Sequence, residues 1–221
     1  ILSTADEKIE AIAEQIQKHE TLKKGLLQKL LREGIGHTEF KESELGSLPV
    51  GWEIVKLKEI LTVKYGKSQK DVEDENGEYP ILGTGGLMGY ANSFLCDKPS
   101  VLIGRKGTID KPQYKDTPFW TVDTLFYTDI KENVALAKYV YFKFLTIQWR
   151  TLNEASGVPS LSAPNIHAVK MQLPPLEEQK QIADILSTAD EKLEVLSAKK
   201  EKFETLKKGL LQKLLSGEVR V

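Results

Sequence analysis

Residues 1–31, ILSTADEKIEAIAEQIQKHETLKKGLLQKLL, return 184 positions later as residues 185–215, ILSTADEKLEVLSAKKEKFETLKKGLLQKLL. Twenty-two of the 31 aligned positions are identical. Two copies of one unit therefore flank a unique insert, an arrangement unlike the short-period stacking of a solenoid. Both copies read as helix. In the second, Ile182, Ala189, Leu196, Phe203 and Leu210 form one seam, with Leu186, Leu193, Lys200, Lys207 and Leu214 beside it. In the first, the seams are Ala5, Ile12, His19 and Leu26, and Leu2, Ile9, Ile16, Lys23 and Leu30. Steps of three and four alternate, the spacing of a coiled coil. Lys23 and Lys207 interrupt the seam in both copies, and His19 stands where Phe203 does. Such interruptions fix register and orientation at some cost in stability. A Leu-rich seam also marks any core helix, but near-identity of the copies favours their pairing.

The helix ends are legible. Leu173-Pro174-Pro175-Leu176-Glu177-Glu178-Gln179 places prolines at the entry of the second helix, where a missing N–H costs nothing, and acids in its first turn. Ser216-Gly217 ends it. A continuous helix from Glu177 to Leu214 would span about 57 Å. The first helix stops near Arg32-Glu33-Gly34-Ile35-Gly36, followed by a polar, acidic stretch. The expected organisation is a helical region over 1–34, a linker over 35–49, an inserted domain over 50–172 and a second helical region over 173–221. The chain starts inside its repeated unit without Met, which points to a fragment or processed product.

The insert holds most of the glycine, aromatic and β-branched residues. Strands are expected at Trp52–Leu57, Tyr79–Leu82, Ser100–Ile103, Thr121–Tyr127 and Val169–Leu173. Leu136 to Leu152 has helical spacing. The expected fold is α+β: one mixed α/β domain bracketed by two long, pairing helices. Trp52, Trp120 and Trp149 are expected in its core.

Composition narrows the function. The 221 residues carry 31 basic and 32 acidic side chains, and 40% are hydrophobic. No apolar run approaches the roughly 20 residues that cross a bilayer. Cys96 is the lone cysteine, and His19, His37 and His167 are far apart, so neither a disulfide framework nor a metal site is expected. The expected location is the cytoplasm. A net charge of −1 argues against an indiscriminate polyanion binder. Residues 50–172 hold 15 basic and 14 acidic side chains, so any polyanion contact must be local. The best local cluster is Ile103-Gly104-Arg105-Lys106-Gly107-Thr108-Ile109-Asp110-Lys111. Its glycines let backbone N–H groups approach a phosphate; a solvated hairpin tip is the plainer reading. The glycine-dense loop Leu82 to Tyr90 lacks the Gly-Lys-Ser/Thr ending of a nucleotide P-loop. No Gly-x-Ser-x-Gly, His-Glu-x-x-His or paired-cysteine spacing is present, so nothing points to an enzyme.

In combination these residues resemble the DNA-specificity subunit of type I restriction–modification systems. The resemblance rests on Leu48-Pro49-x-Gly51-Trp52 with Leu57, on Tyr79-Pro80-Ile81 and the loop ending Gly89-Tyr90, on Ile103 to Thr108, and on Leu173 to Gln179 with its long helix. It implies a target-recognition domain that reads half of a split DNA sequence, between conserved helical regions pairing as an antiparallel coiled coil. It implies a non-catalytic subunit that positions methyltransferase subunits and recruits translocase–nuclease subunits. S-adenosylmethionine, ATP and Mg²⁺ are then expected on those partners, and no cofactor on this chain. One recognition domain departs from the usual two, so two copies can associate as a homodimer. A helix of about 57 Å would separate two readers by up to roughly 17 base pairs of double-stranded DNA.

Carried over motif by motif, Arg105 and Lys106 are the expected phosphate or base contacts, supported by Thr108 and Lys111. Thr84, Gly85, Gly86 and Tyr90 belong to the loop facing DNA. Ser156, Gly157, Ser160 and Ser162 form a polar loop before Asn165, where many family members have Gln. Lys64 and Lys67 flank Gly66 and are expected at phosphate. Two other readings stay open: a coiled-coil scaffold whose insert binds protein, and an enzyme with an unrecognised site.

Overall fold

The structure, a computed structural model, describes residues 2–216. Ile1, which opens the first repeat, and Gly217, the expected helix stop, lie outside the described residues. Helix α1 spans Leu2–Glu33. Short strands β1 (Phe40–Lys41) and β2 (Leu48–Pro49) follow, then β3 (Glu53–Lys56), α2 (Leu57–Ile60) and β4 (Leu61–Tyr65). The hairpin β5 (Tyr79–Gly83) and β6 (Gly86–Ala91) precedes β7 (Ser100–Gly104), β8 (Gln113–Lys115), β9 (Trp120–Thr121) and β10 (Leu125–Ile130). The chain continues through α3 (Ala137–Phe144), a 3-10 turn (Trp149–Leu152), α4 (Ala163–Ala168), β11 (Lys170–Leu173) and α5 (Leu176–Leu215). Contacts divide the described residues into two compact units: residues 30–183, and segments 2–29 with 184–216.

In the helical unit the repeat pairs with itself. Every seam position from Leu2 to Leu26 and from Leu186 to Leu214 is buried or half-buried. The Lys207 ammonium pairs with Asp6, and the Lys23 ammonium with Asp190. From Asp6 to Lys23 the first helix advances seventeen residues while its partner retreats seventeen, from Lys207 to Asp190, so α1 and α5 run antiparallel. Asp190 is the repeat counterpart of Asp6, and Lys207 that of Lys23. One contact is thus made twice, as pseudo-twofold symmetry requires. The counterparts Ile12 and Leu196 are both buried. Two of the lysines that break the apolar seam, Lys23 and Lys207, are thus the ones that pair across it.

In the other unit, the sheet order is β4-β10-β7-β8, antiparallel throughout. A second sheet, β6-β5-β9, pairs β5 with β6 antiparallel and with β9 parallel. Leu82 of β5, Leu102 of β7, Leu125 of β10 and Phe119 form one apolar cluster that joins the sheets. Two smaller pairs are β1-β2 and β3-β11. Trp52, Trp120 and Trp149 are all buried.

Several expected elements shift. The strand expected over Trp52–Leu57 is β3 alone, and Leu57 opens α2. The helix expected from Leu136 to Leu152 stops at Phe144. Side chains explain the stop: the Thr146 hydroxyl donates to the Lys143 carbonyl at 2.7 Å, and the Trp149 indole N–H donates to the Phe144 carbonyl at 2.8 Å. Both satisfy terminal carbonyls that would otherwise be left open.

The Leu-Pro-x-Gly-Trp and Leu-Pro-Pro-Leu-Glu-Glu-Gln motifs meet at one node within residues 30–183. Glu178 accepts from the Ile35 backbone N–H (3.0 Å) and the Trp52 indole N–H (2.9 Å), and its Oε1 lies 2.8 Å from His37 Nε2. Gly34 ends α1 with φ +69°, its N–H donating to the Leu30 carbonyl, the usual left-handed helix terminus. A Cβ at Gly34 would lie 2.4 Å from Glu178 Oε1 and 2.8 Å from the Trp52 ring. Gln179, fully buried, accepts from Leu136 N–H and donates to the carbonyls of Val134 and Pro174. These motif residues hold the framework together.

Candidate nucleic-acid interface

Sheet pairing brings separated loops to one edge. Strands β4 and β7 both run antiparallel to β10, so their C-terminal ends lie together beside its start. Phe126 faces Tyr65 across one ladder, and Leu125 faces Gly104 across the other. The β5–β6 turn reaches the same edge: the Gln113 amide donates to the Gly83 carbonyl at 2.9 Å, and Thr84 Oγ1 lies 3.7 Å from where a Cβ on Gly107 would sit. The 156–161 loop joins them. Gly107 N–H donates to the Pro159 carbonyl, Leu161 N–H to the Arg105 carbonyl, and Lys106 bridges with Ser160. After β4 the chain is clamped on β9: Lys67 N–H donates to the Thr121 carbonyl (2.9 Å), and its own carbonyl accepts from the Trp120 indole (3.0 Å). Gly66 permits this approach, since a Cβ there would fall 2.0 Å from the Val122 carbonyl oxygen.

Arg105 is the most constrained cation of this edge. Its backbone N–H donates to the Thr124 carbonyl at 2.8 Å, and its Nη1 donates to the Asp123 carbonyl at 3.0 Å. Its guanidinium carbon lies 5.6 Å from the centre of the Tyr65 ring, within cation–π range. Lys64, Lys67 and Lys106 are exposed. Among the described residues, none of Lys64, Lys67, Arg105, Lys106 and Lys111 forms an ion pair, whereas Lys23, Arg150, Lys170, Lys200 and Lys207 do. Cations without ion pairs thus gather at this edge of a nearly neutral protein, where Asp123 is exposed and Asp110 and Glu154 lie in the adjoining segments with Arg150, Ser162 and Asn165 as their partners.

The other expected contact residues are distributed unevenly. Thr84, Gly85, Gly86, Thr108 and Ser160 belong to this edge, and Ser156 and Gly157 are exposed in the adjoining loop. Lys111 follows Asp110, whose carboxylate accepts from Arg150 Nε at 2.5 Å. That hydrogen bond holds the Asp110 carboxyl below its ordinary range. Ser162 caps α4, its oxygen accepting from Asn165 N–H while its hydroxyl donates to Glu154. The expected loop Leu82–Tyr90 is a hairpin whose turn is only Thr84-Gly85. Tyr90 pairs opposite Pro80 in β6, four residues from Gly86 and so about 13 Å along the strand from the turn. Glycine density concealed that strand.

Sequence reasoning missed Tyr65, Asp123 and Thr124. Tyr65 is 56% exposed, yet its ring meets buried Phe126 edge-on at 4.9 Å. The available signal was the alternation Leu61-Thr62-Val63-Lys64-Tyr65, which is β4. Among the described residues, no cluster of His, Cys, Asp or Glu is placed to hold a metal ion, and no helix is long and apolar enough to cross a membrane.

Residues 49–205 match the family described as the type I restriction modification DNA specificity domain. The chain is 30% identical to the type I restriction enzyme MjaVIII specificity subunit of Methanocaldococcus jannaschii, over all of this chain and 59% of that protein. It is 24% identical to the EcoDI specificity subunit of Escherichia coli, over 77% of this chain and 38% of that one. The chain spans about half the length of the relatives it matches. Among solved structures, the S subunit of a type I restriction–modification system from M. genitalium superimposes with a TM-score of 0.74 at 20% identity, over 96% of this chain and 58% of that one. The HsdS subunit from Thermoanaerobacter tengcongensis gives 0.64 at 16% identity, over 99% and 56%.

Proposed function

This chain belongs to the type I restriction–modification DNA specificity family, and on that premise we propose that it recognises DNA sequence and positions the catalytic subunits of such a system without being catalytic itself. One observation carries the reading: Lys64 near the end of β4, Lys67 just after it, and Arg105 and Lys106 after β7, about 40 residues on, lie at one edge of the sheet with no ion pair among the described residues. Cations without an anionic partner suit a polyanion whose counterions they displace. The lysines, on flexible stems, fit phosphate, while the planar guanidinium fits a base edge.

The partners in this reading are double-stranded DNA, methyltransferase subunits and translocase–nuclease subunits, in the cytoplasm. S-adenosylmethionine, ATP and Mg²⁺ would enter on those subunits. With one recognition unit, two copies acting as a symmetric pair would address a two-part site. The test is to co-express the chain with a methyltransferase subunit of the same system and map methylated bases on random-sequence DNA. A split palindromic motif, lost when Arg105 and Lys106 are both changed to Ala, is the expected result. Methylation independent of this chain would leave it a coiled-coil scaffold for protein.

A further inference from the structure

Resting on the DNA-recognition reading above, we infer that Arg105 reads the edge of a guanine, and that Tyr65 is the residue that positions it. Three features of the pair point there. First, the guanidinium is oriented without being neutralised. Its fixed partners are the carbonyl of Asp123 and the face of Tyr65, both uncharged, and among the described residues it forms no ion pair. Of its five N–H donors one is spent on Asp123, and the rest keep the charge and fork geometry of a bidentate donor. Guanine offers two acceptors, O6 and N7, on one planar edge in the major groove, and arginine is their commonest reader.

Second, the platform beneath it is seated on the core. Tyr65 closes β4 opposite Phe126, and the two rings meet edge-on at 81° with Phe126 buried. A tyrosine more than half exposed thus packs against the core and still receives Arg105 over its ring. Third, the backbone beneath Arg105 is held on both sides, by Thr124 and by Leu161. Nearby Lys64, Lys67 and Lys106 are exposed. A mobile ammonium suits phosphate, which is the same at every base pair, whereas a planar fork held in place can discriminate between base pairs.

The test takes the full chain and a random-sequence duplex library at low salt, with bound duplexes sequenced. Wild type is expected to prefer G·C at one position. Arg105→Ala loses that preference, on the order of tenfold or more, and leaves other positions as they were. Arg105→Lys keeps the charge and most of the affinity but loses the same preference. Tyr65→Ser degrades that position too, and Tyr65→Phe, which keeps the ring, restores it. Lys106→Ala weakens all sequences evenly and flattens the salt dependence. An Arg105→Ala variant that weakens every sequence evenly would make Arg105 a phosphate contact and overturn the assignment while the recognition reading stands. Tyr65→Ser with the G·C preference intact would overturn the positioning role. A wild-type chain that enriches no sequence would sink the recognition reading and this assignment with it.

Discussion

Lys143 shows how one residue couples charge to stability. It lies buried on α3, its ammonium 3.1 Å from the Leu31 carbonyl at the end of α1 and 3.3 Å from Gln172 Oε1 on β11. Both partners are neutral, so the charge is hydrogen-bonded but unpaired, and burial lowers its pKa from 10.5 to about 8. Below pH 8 both folded and unfolded chains hold the proton, and the cost of burying the charge is fully present. Between pH 8 and 10.5 the unfolded chain keeps a proton that the folded chain has released, so stability rises with pH across that window. The displacement corresponds to roughly 3 kcal/mol. Denaturant unfolding at pH 8 and at pH 10.5 should therefore show wild type gaining on the Lys143→Met variant by about that amount. Parallel pH profiles for the two proteins would mean that the ammonium is solvated after all.

At the scale of elements, the antiparallel helix pair rests on a repeated contact. Each repeat contributes an aspartate and a lysine, and each aspartate meets the other repeat's lysine. These side chains are partly exposed, so each pair is worth only about 0.2–1 kcal/mol, while Ile12 and Leu196 provide apolar burial. The charges therefore select an orientation more than they hold the helices together. Changing Asp6 and Asp190 to Lys together sets lysine against lysine at both contacts, and thermal unfolding should fall by several degrees. Adding Lys23→Asp and Lys207→Asp should recover most of that loss, because the pairs are then re-formed with signs exchanged. Failure of the fourfold variant to recover would contradict the antiparallel register.

At the scale of the whole molecule, a net charge of −1 and a local cationic edge make opposite demands. In the proposed reading this edge meets duplex DNA while the remaining surface gives it little help, so binding by the chain alone should be weak and steeply salt-dependent. Three phosphate-facing lysines imply a slope of about −2.7 in log K against log salt. Fluorescence anisotropy with a labelled duplex should then lose about fortyfold in affinity between 50 and 200 mM salt. Tight binding that tolerates salt would mean that another surface carries the contact.

The helices were legible from local order. Three- and four-residue spacing, the prolines before Leu176 and the glycine at 34 together defined two helices, and the repeat said they belonged together. The composite motif around Trp52, Arg105 and Glu178 placed the chain in its family, although Trp52 and Glu178 meet as framework. The edge itself was only half legible. Arg105 and the lysines stood out as charges between glycines, but Tyr65 lies 40 residues from Arg105 and meets it only because β4 and β7 flank β10. Helical periodicity is written in neighbouring residues, whereas strand order and register are settled by pairing between distant ones. Tertiary structure alone therefore decided which charges share an edge, which serine is consumed as a helix cap, and which arginine is held still.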